Sequence, residues 1–420
     1  FKSLSYAIKD STLLVSNQAS AIKGILERWD GSSDTSLANA DSYKLIMSKC
    51  APKDDDAAET TWFVDPMGIV KSVISLGAGE NPQLGMVMGF LPVTGLDQLK
   101  GIGGAMNIGE GDFDNVNRSF VHTEQPSRGV MRMFSMPAVE QSPAKWVHDK
   151  SSMFMSLNWD LQEAYKAVES LYNTFAGEGA LAKMVEDLAE NEDGPKIHIK
   201  KDIIDQVTGR ITVSGDIKEE DDGSQERYVV AIGLTNEGSF KKILAKAAKF
   251  PGFPGHAREF EGTTIYEFGD VGEDEDESEN QSFRNLADEE DEDEMEALSL
   301  TPALAIGRKH LFFGTDVEQI EQILRDNDED SLADSKIFKK VSKYFPAKVS
   351  SMSFQRADAQ VKTALDALKS GQLDMLVGDN IDLSKLPDFD DIKHFFTPTG
   401  GYVRPDEDGV FMENFNLKGE

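Results

Sequence analysis

Apolar and polar residues alternate along the chain with periods that change, and each period predicts an element. Residues 152–157 form a short apolar run, and from Leu161 to Leu171 apolar side chains recur at helical spacing. Residues 211–217 alternate as a half-buried strand does, whereas 228–234 are continuously apolar. The segment 152–234 therefore predicts a strand, a helix and two further strands.

Further along the chain, short apolar runs are separated by residues that favour turns. A hairpin is predicted from residue 303 to 313 around Gly307, and Thr315 is predicted to cap the helix that follows. Residues 349–354 precede another helical stripe, and a closing hairpin is predicted from 400 to 417. The sequence thus predicts an α+β fold with a mixed or mainly antiparallel sheet and helices packed mostly on one face.

The chain also contains an internal repeat with an offset of nearly 300 residues. The matching pairs, in chain order, are 7–16 with 305–314, Phe63 with Phe354, and Gly103-Gly104 with Gly400-Gly401. The first pair aligns without gaps at an offset of 298, and the helix that follows keeps this offset. Self-similarity of this kind is typical of a repeated structural unit, so we expect both stretches to follow the same backbone path.

This correspondence predicts tandem repeated modules. Residues 1–130 would be the back half of a first module whose front half lies upstream, and residues 145–420 would be a complete second module. Within the second module, residues 270–296 hold 15 acidic side chains against a single Arg284. Because such a block cannot bury enough apolar surface to order itself, it predicts a solvated acidic loop, with divalent-cation binding as the alternative.

Composition excludes several functional classes. The 420 residues are 39% apolar, which supplies a core for two to three domains and rules out general disorder. The net charge of −32 makes nucleic acid an unfavourable partner, because affinity for phosphates depends on Lys and Arg. The longest apolar stretch, 86–93, is too short to cross a bilayer. Neither nucleic-acid binding nor a transmembrane segment is expected in this chain.

Three aspartates are candidate metal ligands. Asp326, Asp328 and Asp330 have the one-three-five spacing that opens a calcium-binding loop, and they follow a predicted helix. The sixth position is Ser331 rather than glycine, and the twelfth is Ile337 rather than glutamate. The motif is therefore incomplete, and calcium is the single cofactor that the sequence suggests.

The remaining candidate residues favour structural roles. The stretch Gly101–Gly111 lacks the dinucleotide-binding spacing and leads into an alternating strand, so it predicts a hairpin with tight turns. Cys50 is the sole cysteine and is interpreted as a buried apolar residue. The six histidines are far apart in sequence, with no zinc spacing among them, and the sequence has no GxSxG or Walker motif. No catalytic or cofactor-binding residues are predicted.

The chain resembles an uncharacterised family of bacterial proteins, a domain of unknown function met in planctomycetes and cyanobacteria. The segments that carry the likeness are Ser151–Asp160, Val207–Val213, Tyr228–Leu234, Phe260–Tyr266, Ala303–Gly314 and Ser331–Ala333. Many members carry a signal peptide, so the resemblance implies an exported protein, periplasmic or secreted. It implies no catalytic residues, and residues 270–296 depart from its pattern as an insertion.

Three functions are consistent with the sequence. The favoured one is a non-enzymatic extracytoplasmic protein that binds other proteins or forms part of a surface assembly, since duplicated modules and an acidic surface suit that role. The first alternative is a hydrolase, which would need an inter-module groove with carboxylates or histidines of perturbed pKa. The second alternative is a divalent-cation-binding protein that calcium would stabilise.

Overall fold

The computed structural model describes most of the chain as helices and antiparallel strands. The described residues are 4–31, 36–53, 57–77, 83–192, 194–220, 223–269, 300–325, 330–370 and 386–419. The strands are β1 (Ser5–Lys9), β2 (Thr12–Ser16), β3 (Thr60–Val64), β4 (Leu99–Ile108), β5 (Phe113–Thr123), β6 (Met153–Asn158), β7 (Val207–Glu220), β8 (Gly223–Leu234), β9 (His256–Phe260), β10 (Thr263–Glu267), β11 (Ala303–Gly307), β12 (His310–Gly314), β13 (Ser351–Arg356), β14 (Pro398–Asp406) and β15 (Gly409–Leu417). The helices are α1 (Ala19–Glu27), α2 (Asp41–Cys50), α3 (Pro66–Gly77), α4 (Gln83–Thr94), α5 (Leu161–Ala176), α6 (Ala180–Glu190), α7 (Glu237–Ala247), α8 (Val317–Arg325), α9 (Lys336–Ser342), α10 (Ala357–Ser370) and α11 (Phe389–Ile392).

Thirteen strands form one sheet in the order β3-β4-β5-β15-β14-β13-β6-β7-β8-β12-β11-β10-β9. Every neighbouring pair in this sheet is antiparallel, and β1 and β2 form a separate antiparallel hairpin. The α+β class and the largely antiparallel sheet expected from the sequence are therefore confirmed.

One face of the large sheet carries an aromatic core. Phe154 and Phe354 lie opposite each other on β6 and β13, and both are fully buried. Helices α2, α8 and α9 contribute Ile46, Ile320 and Phe338 to the same core. These side chains recur at helical spacing with the other apolar residues of their helices, so each helix buries one stripe against the sheet.

Several helices begin at side chains that accept a backbone hydrogen bond, among them α5, α7 and α9. Asp160 accepts from the amide of Glu163, Asn236 from that of Ser239, and Ser335 from that of Phe338, at 2.9, 3.0 and 3.2 Å. Each satisfies one of the amides that the first helical turn leaves without an internal partner.

The prediction that Thr315 caps α8 is wrong. The Thr315 hydroxyl accepts from the amide of Tyr228 at 2.9 Å, which ties the end of β12 to β8. The neighbouring Asp316 carboxylate accepts from the amide of Glu318 at 3.1 Å instead. Thr315 follows β12 directly, so its side chain continues the hydrogen bonding between β12 and β8 and is not placed to cap the helix.

The turn of the β11–β12 hairpin also differs from the prediction. Gly307 is the last residue of β11 and pairs with His310, so the turn consists of Arg308 and Lys309, with φ of 50° and 61°. Both turn residues have the left-handed conformation that two-residue hairpins of matching twist require. A Cβ at Gly307 would lie 2.6 Å from Leu324 Cδ2, so a larger residue there would displace the Leu324 side chain.

The β1–β2 hairpin has the same geometry. Lys9 pairs with Thr12, and the turn residues Asp10 and Ser11 have φ of 49° and 63°. Helix α1 follows β2 at the same spacing as α8 follows β12. Two segments 298 positions apart therefore have the same register and the same turn conformation.

The strands on the two sides of the β5–β15 contact follow equivalent orders. On one side lie β5, β4 and β3, and on the other β15, β14 and β13. Gly103 pairs with Phe63 and Phe120, and Gly400 pairs with Phe354 and Phe415. Strands β4 and β5 form a hairpin, as predicted. The glycine-rich stretch 101–111 supplies most of β4 and part of the turn.

The predictions about the acidic loop and about transmembrane segments concern residues that the structure describes only in part or not at all. The acidic segment 270–296 falls outside the described residues, so its loop prediction stays open. Among the described helices, none has the length and apolar content needed to cross a membrane.

Candidate functional site

The predicted calcium ligands are mostly outside the described part of the chain. Asp326 and Asp328 are not described, and Asp330 contributes its backbone carbonyl to a 2.8 Å hydrogen bond from the amide of Asp149. Within the described ranges, no cluster of three or more His, Cys, Asp or Glu side chains is placed to hold a metal ion. The metal prediction therefore stays a prediction.

Cys50 is buried at the end of α2, as interpreted from the sequence. Burial raises the pKa of its thiol to about 11, and the nearby Arg118 opposes that shift. A thiol with this pKa carries very little thiolate at neutral pH, and the thiolate is the reactive form. Cys50 therefore has the properties of a packing residue rather than a nucleophile.

A small polar cavity lies beside strands β7 and β8 and helix α8. Its volume is about 20 Å³, which is the room for one water molecule. His148, Ser151, Ser214 and Asp216 contribute polar groups to its lining. The hydroxyls of Ser151 and Ser214 lie 3.0 Å apart, and His148 Nδ1 accepts from the amide of Lys150 at 3.1 Å.

Two further lining residues leave polar atoms unpaired. Trp146 Nε1 and Gln319 Oε1 are buried, and neither has a hydrogen-bond partner among the described residues. One is a donor and the other an acceptor, a combination that a single water can satisfy. The volume and the two unpaired atoms therefore fit one water molecule.

The carboxylate at this cavity is committed to an ion pair. Arg227 Nε donates to Asp216 Oδ1 at 2.7 Å, and its Nη1 donates to the buried Asp316 Oδ2 at 3.0 Å. Burial opposes the charge of Arg227, but the two carboxylates outweigh it and raise the pKa of the guanidinium. Both carboxylate oxygens of Asp216 therefore accept hydrogen bonds from Arg227.

A second buried charge cluster lies where β5 meets β15, the third and fourth strands of the large sheet. Arg118 donates through Nε to Glu413 Oε2 at 2.8 Å and through Nη1 to Glu110 Oε2 at 2.8 Å. Tyr402 donates its hydroxyl to Glu413 Oε1 at 3.0 Å. All four side chains are buried, so each acidic oxygen named here has a donor in place of water.

The charges of this cluster stabilise one another. Hydrogen bonds from Arg118 lower the pKa of Glu110, against the opposing effect of burial. Burial lowers the pKa of Arg118, but Glu110 and Glu413 more than compensate, so the pKa is raised overall. Burial and the adjacent Glu413 raise the pKa of Tyr402. The lowered pKa of Glu110 and the raised pKa of Arg118 keep this ion pair charged at neutral pH, and the cluster has the properties of a structural junction.

An exposed apolar surface lies on helices α4, α5 and α6. Its members are Phe90, Val93, Tyr172, Phe175, Met184 and Leu188, and we call it the helical apolar patch. The rings of Phe90 and Phe175 contact each other with centroids 5.7 Å apart, and the Tyr172 hydroxyl lies 3.8 Å from Met184 Sδ. Contiguous exposed apolar side chains of this kind mark interaction surfaces.

Sequence reasoning missed these features for different reasons. Val116, Arg118 and Phe120 alternate on one face of β5, so the pattern places the arginine on the buried face and could have identified the charge cluster. The pairing of Trp146 with Gln319 at one cavity depends on tertiary packing and has no local signal. The helical apolar patch combines helices from separate segments, so the same reason applies.

Comparison with known proteins adds little. No family model and no curated protein matches the chain. A solved structure titled "Structure of crystal form III of TP0453" aligns over 67% of this chain and 81% of that chain, at 11% identity and a TM-score of 0.27. A TM-score this low carries no argument about fold or function.

Proposed function

We propose that the protein is a non-enzymatic, exported binding or structural protein built from duplicated modules. The observation that carries this proposal is the helical apolar patch, whose aromatic and aliphatic side chains face solvent. Exposing such a surface is unfavourable in water, so its burial by a protein partner would release free energy. The export part of the proposal comes from the resemblance to the exported bacterial family.

Duplication is supported by the backbone correspondence between the two parts of the chain. The hairpins β1–β2 and β11–β12 share register and turn, and strands β3 to β5 follow the same order as β13 to β15. We therefore propose that residues 1–130 are the back half of one module and that 145–420 are another module. Their sheets are continuous, because β5 pairs with β15 along its length.

The chemistry of the two buried polar sites suits structural roles. The carboxylates of Glu110, Glu413 and Asp216 are each held by an arginine, and the cavity at Trp146 admits about one water. These groups stabilise the fold without being free to act on a substrate.

The test measures binding to exported proteins with and without the patch. The chain is cross-linked to the exported protein fraction of its source organism, and the products are quantified alongside those of the double variant Phe90→Ser/Phe175→Ser. We expect the double variant to lose roughly tenfold in cross-linked product, since aromatic residues dominate interface energies. Phe395→Ser is the matched control, because Phe395 is exposed outside the patch.

The proposal would be contradicted in either of two ways. One is a wild-type chain that sediments as a monomer and forms no cross-linked product. The other is a product whose yield falls equally in the double variant and in the Phe395 control, since this would make the patch irrelevant to binding.

A further inference from the structure

Among the described residues, β1, β2 and β3 in the first part of the chain each have a free edge, whereas their counterparts β11, β12 and β13 have two neighbours. Strand β13 pairs with β14 on one side and with β6 on the other, and β12 pairs with β11 and β8. Among the described residues, β3 pairs with β4 alone and β2 pairs with β1 alone. The three strands β6, β7 and β8 thus connect β13 to β12 in the large sheet, and no described strands connect β3 to β2.

Side-chain exposure differs in the same way. Ile8 is 73% exposed, whereas Ile306, 298 positions later, is 2% exposed. Thr61 on β3 is exposed, whereas Met352, its counterpart on β13, is buried. Strand β3 also presents Trp62 with 44% exposure. The positions that β6 to β8 help to bury in one part are open in the other.

We propose that the free edges of β2 and β3 together bind a three-stranded antiparallel unit equivalent to β6–β7–β8. The unit would belong to a first module and would be connected ahead of β1, as β6 to β8 are connected ahead of β11 in this chain. Its outer strands would continue the backbone ladder on β3 and on β2, and its alternating apolar residues would cover Ile8 and the side chains beside it. This inference rests on the duplicated modules proposed above, but not on the helical apolar patch.

The geometry favours this occupant over a second copy of the chain. In each copy, β6 is already paired with β13 and β7, and β8 with β7 and β12. A second copy could supply these strands only by opening its own sheet and losing both ladders. A unit from a first module has no competing partner, and it closes edges that otherwise favour aggregation.

The first test uses the purified 1–420 chain and a synthetic peptide of residues 151–158, which contains β6. In the β6–β13 ladder Met155 lies opposite Ser353, so the peptide would place its Met155 opposite Trp62. At saturating peptide we expect hydrogen exchange of the Thr60–Val64 amides to slow roughly tenfold or more, because a new ladder protects them. Fluorescence of Trp62 should change in parallel, and Trp62→Phe should remove that change.

Two controls make this result specific. A peptide with Phe154→Pro and Ser156→Pro cannot donate the ladder hydrogen bonds and should protect nothing. Strand β9, at the opposite end of the large sheet, should keep its exchange rate when the wild-type peptide is added. Equal protection of β9 and β3 would mean that the peptide pairs with any edge, and it would overturn the proposal.

The second test supplies the whole unit by placing a copy of residues 145–298 directly ahead of Phe1. One cysteine replaces Trp62 in the original chain (Trp62→Cys), and the other replaces Met155 in the added copy (Met155→Cys). We expect a disulfide to form between them on mild oxidation, since directly opposed residues have suitable Cβ separations. Ser353→Cys in place of Trp62→Cys is the matched control and should form no disulfide, because the original β6 already covers β13.

The outcomes separate this inference from the proposed function. Unchanged β3 exchange with both the peptide and the added unit overturns the inference, as does a disulfide that forms equally well at Ser353. If the helical apolar patch still captures a partner in that case, the binding role stands without the strand unit. If strand addition succeeds while the patch binds nothing, the strand unit stands and the binding role of the patch fails.

Discussion

The hairpins β1–β2 and β11–β12 have the same backbone conformation but different surroundings. Both have five-residue strands, the same register and a turn of two left-handed residues. Strand β12 pairs with β8 and its hairpin lies inside the large sheet, whereas half of the residues of β1 and β2 are exposed and none is buried. The difference teaches that local sequence determines the hairpin, while neighbouring strands determine how much stability its side chains contribute.

The largest expected contrast between a buried and an exposed group concerns arginine. Arg118→Met leaves Glu110 and Glu413 buried without their shared partner, so we expect a loss of about 3–5 kcal/mol in the free energy of unfolding. Arg128→Met removes a half-exposed arginine paired with Asp97 and should cost less than about 1 kcal/mol. Urea denaturation measures both, and equal losses would contradict the structural role of the cluster.

The next contrast compares two isoleucines at corresponding positions. Ile306→Ala creates a cavity in the core and should destabilise by about 2–5 kcal/mol. Ile8→Ala removes an exposed side chain and should change stability by about 0.5 kcal/mol or less. Thermal unfolding of both variants gives the comparison. A large loss for Ile8→Ala would mean that β1 is already covered in solution.

A third contrast concerns the starts of α2 and α9, where corresponding residues differ. Ser335 caps α9 through its hydroxyl, whereas Ala40 at the start of α2 has no side chain that can cap. Ser335→Ala should cost about 1 kcal/mol, and Ala40→Ser should gain up to about 1 kcal/mol. Chemical denaturation measures both changes, and a destabilising Ala40→Ser would show that the backbone there does not suit a capping side chain.

The smallest effect is expected in how the free energy of unfolding falls at acidic pH. Arg118 lowers the pKa of Glu110 in the folded state below its unfolded value, so Glu110 stabilises the fold above about pH 4.3, and that contribution is lost as pH falls through the folded pKa. Glu110→Gln removes this dependence, so its free energy of unfolding should fall less steeply between pH 5 and 3. Glu178→Gln, at an exposed carboxylate, is the control, and identical slopes for all three proteins would refute the linkage.

The sequence predicted local elements well because their signals are local. Alternation identified the hairpins, and helical spacing identified α5, α8 and α10. It misplaced the turn at Gly307 because this glycine is the last residue of β11, beside Leu324. It assigned the cap to Thr315 because the competing bond to Tyr228 comes from a distant strand. Residue preferences alone do not separate a turn glycine from a packing glycine.

The candidate sites were less predictable because they depend on contacts between distant segments. Arg118 and Glu413 are 295 positions apart and meet only when β5 pairs with β15. The helical apolar patch likewise joins α4 to α5 and α6. Asp326, Asp328 and Asp330 had a local spacing, and their metal role stays a prediction.

The opposition of Arg118 and Glu413 also bears on how the two parts of the chain can change over time. Counting from the glycine pairs, Arg118 on β5 and Glu413 on β15 are corresponding positions, because Ala105 pairs with the first and Tyr402 with the second. If recombination made the two strands identical, either two arginines or two glutamates would face each other in the core. Like charges so placed strongly disfavour pairing. Selection should therefore preserve the divergence of these two strands even where the rest of the two segments stays alike.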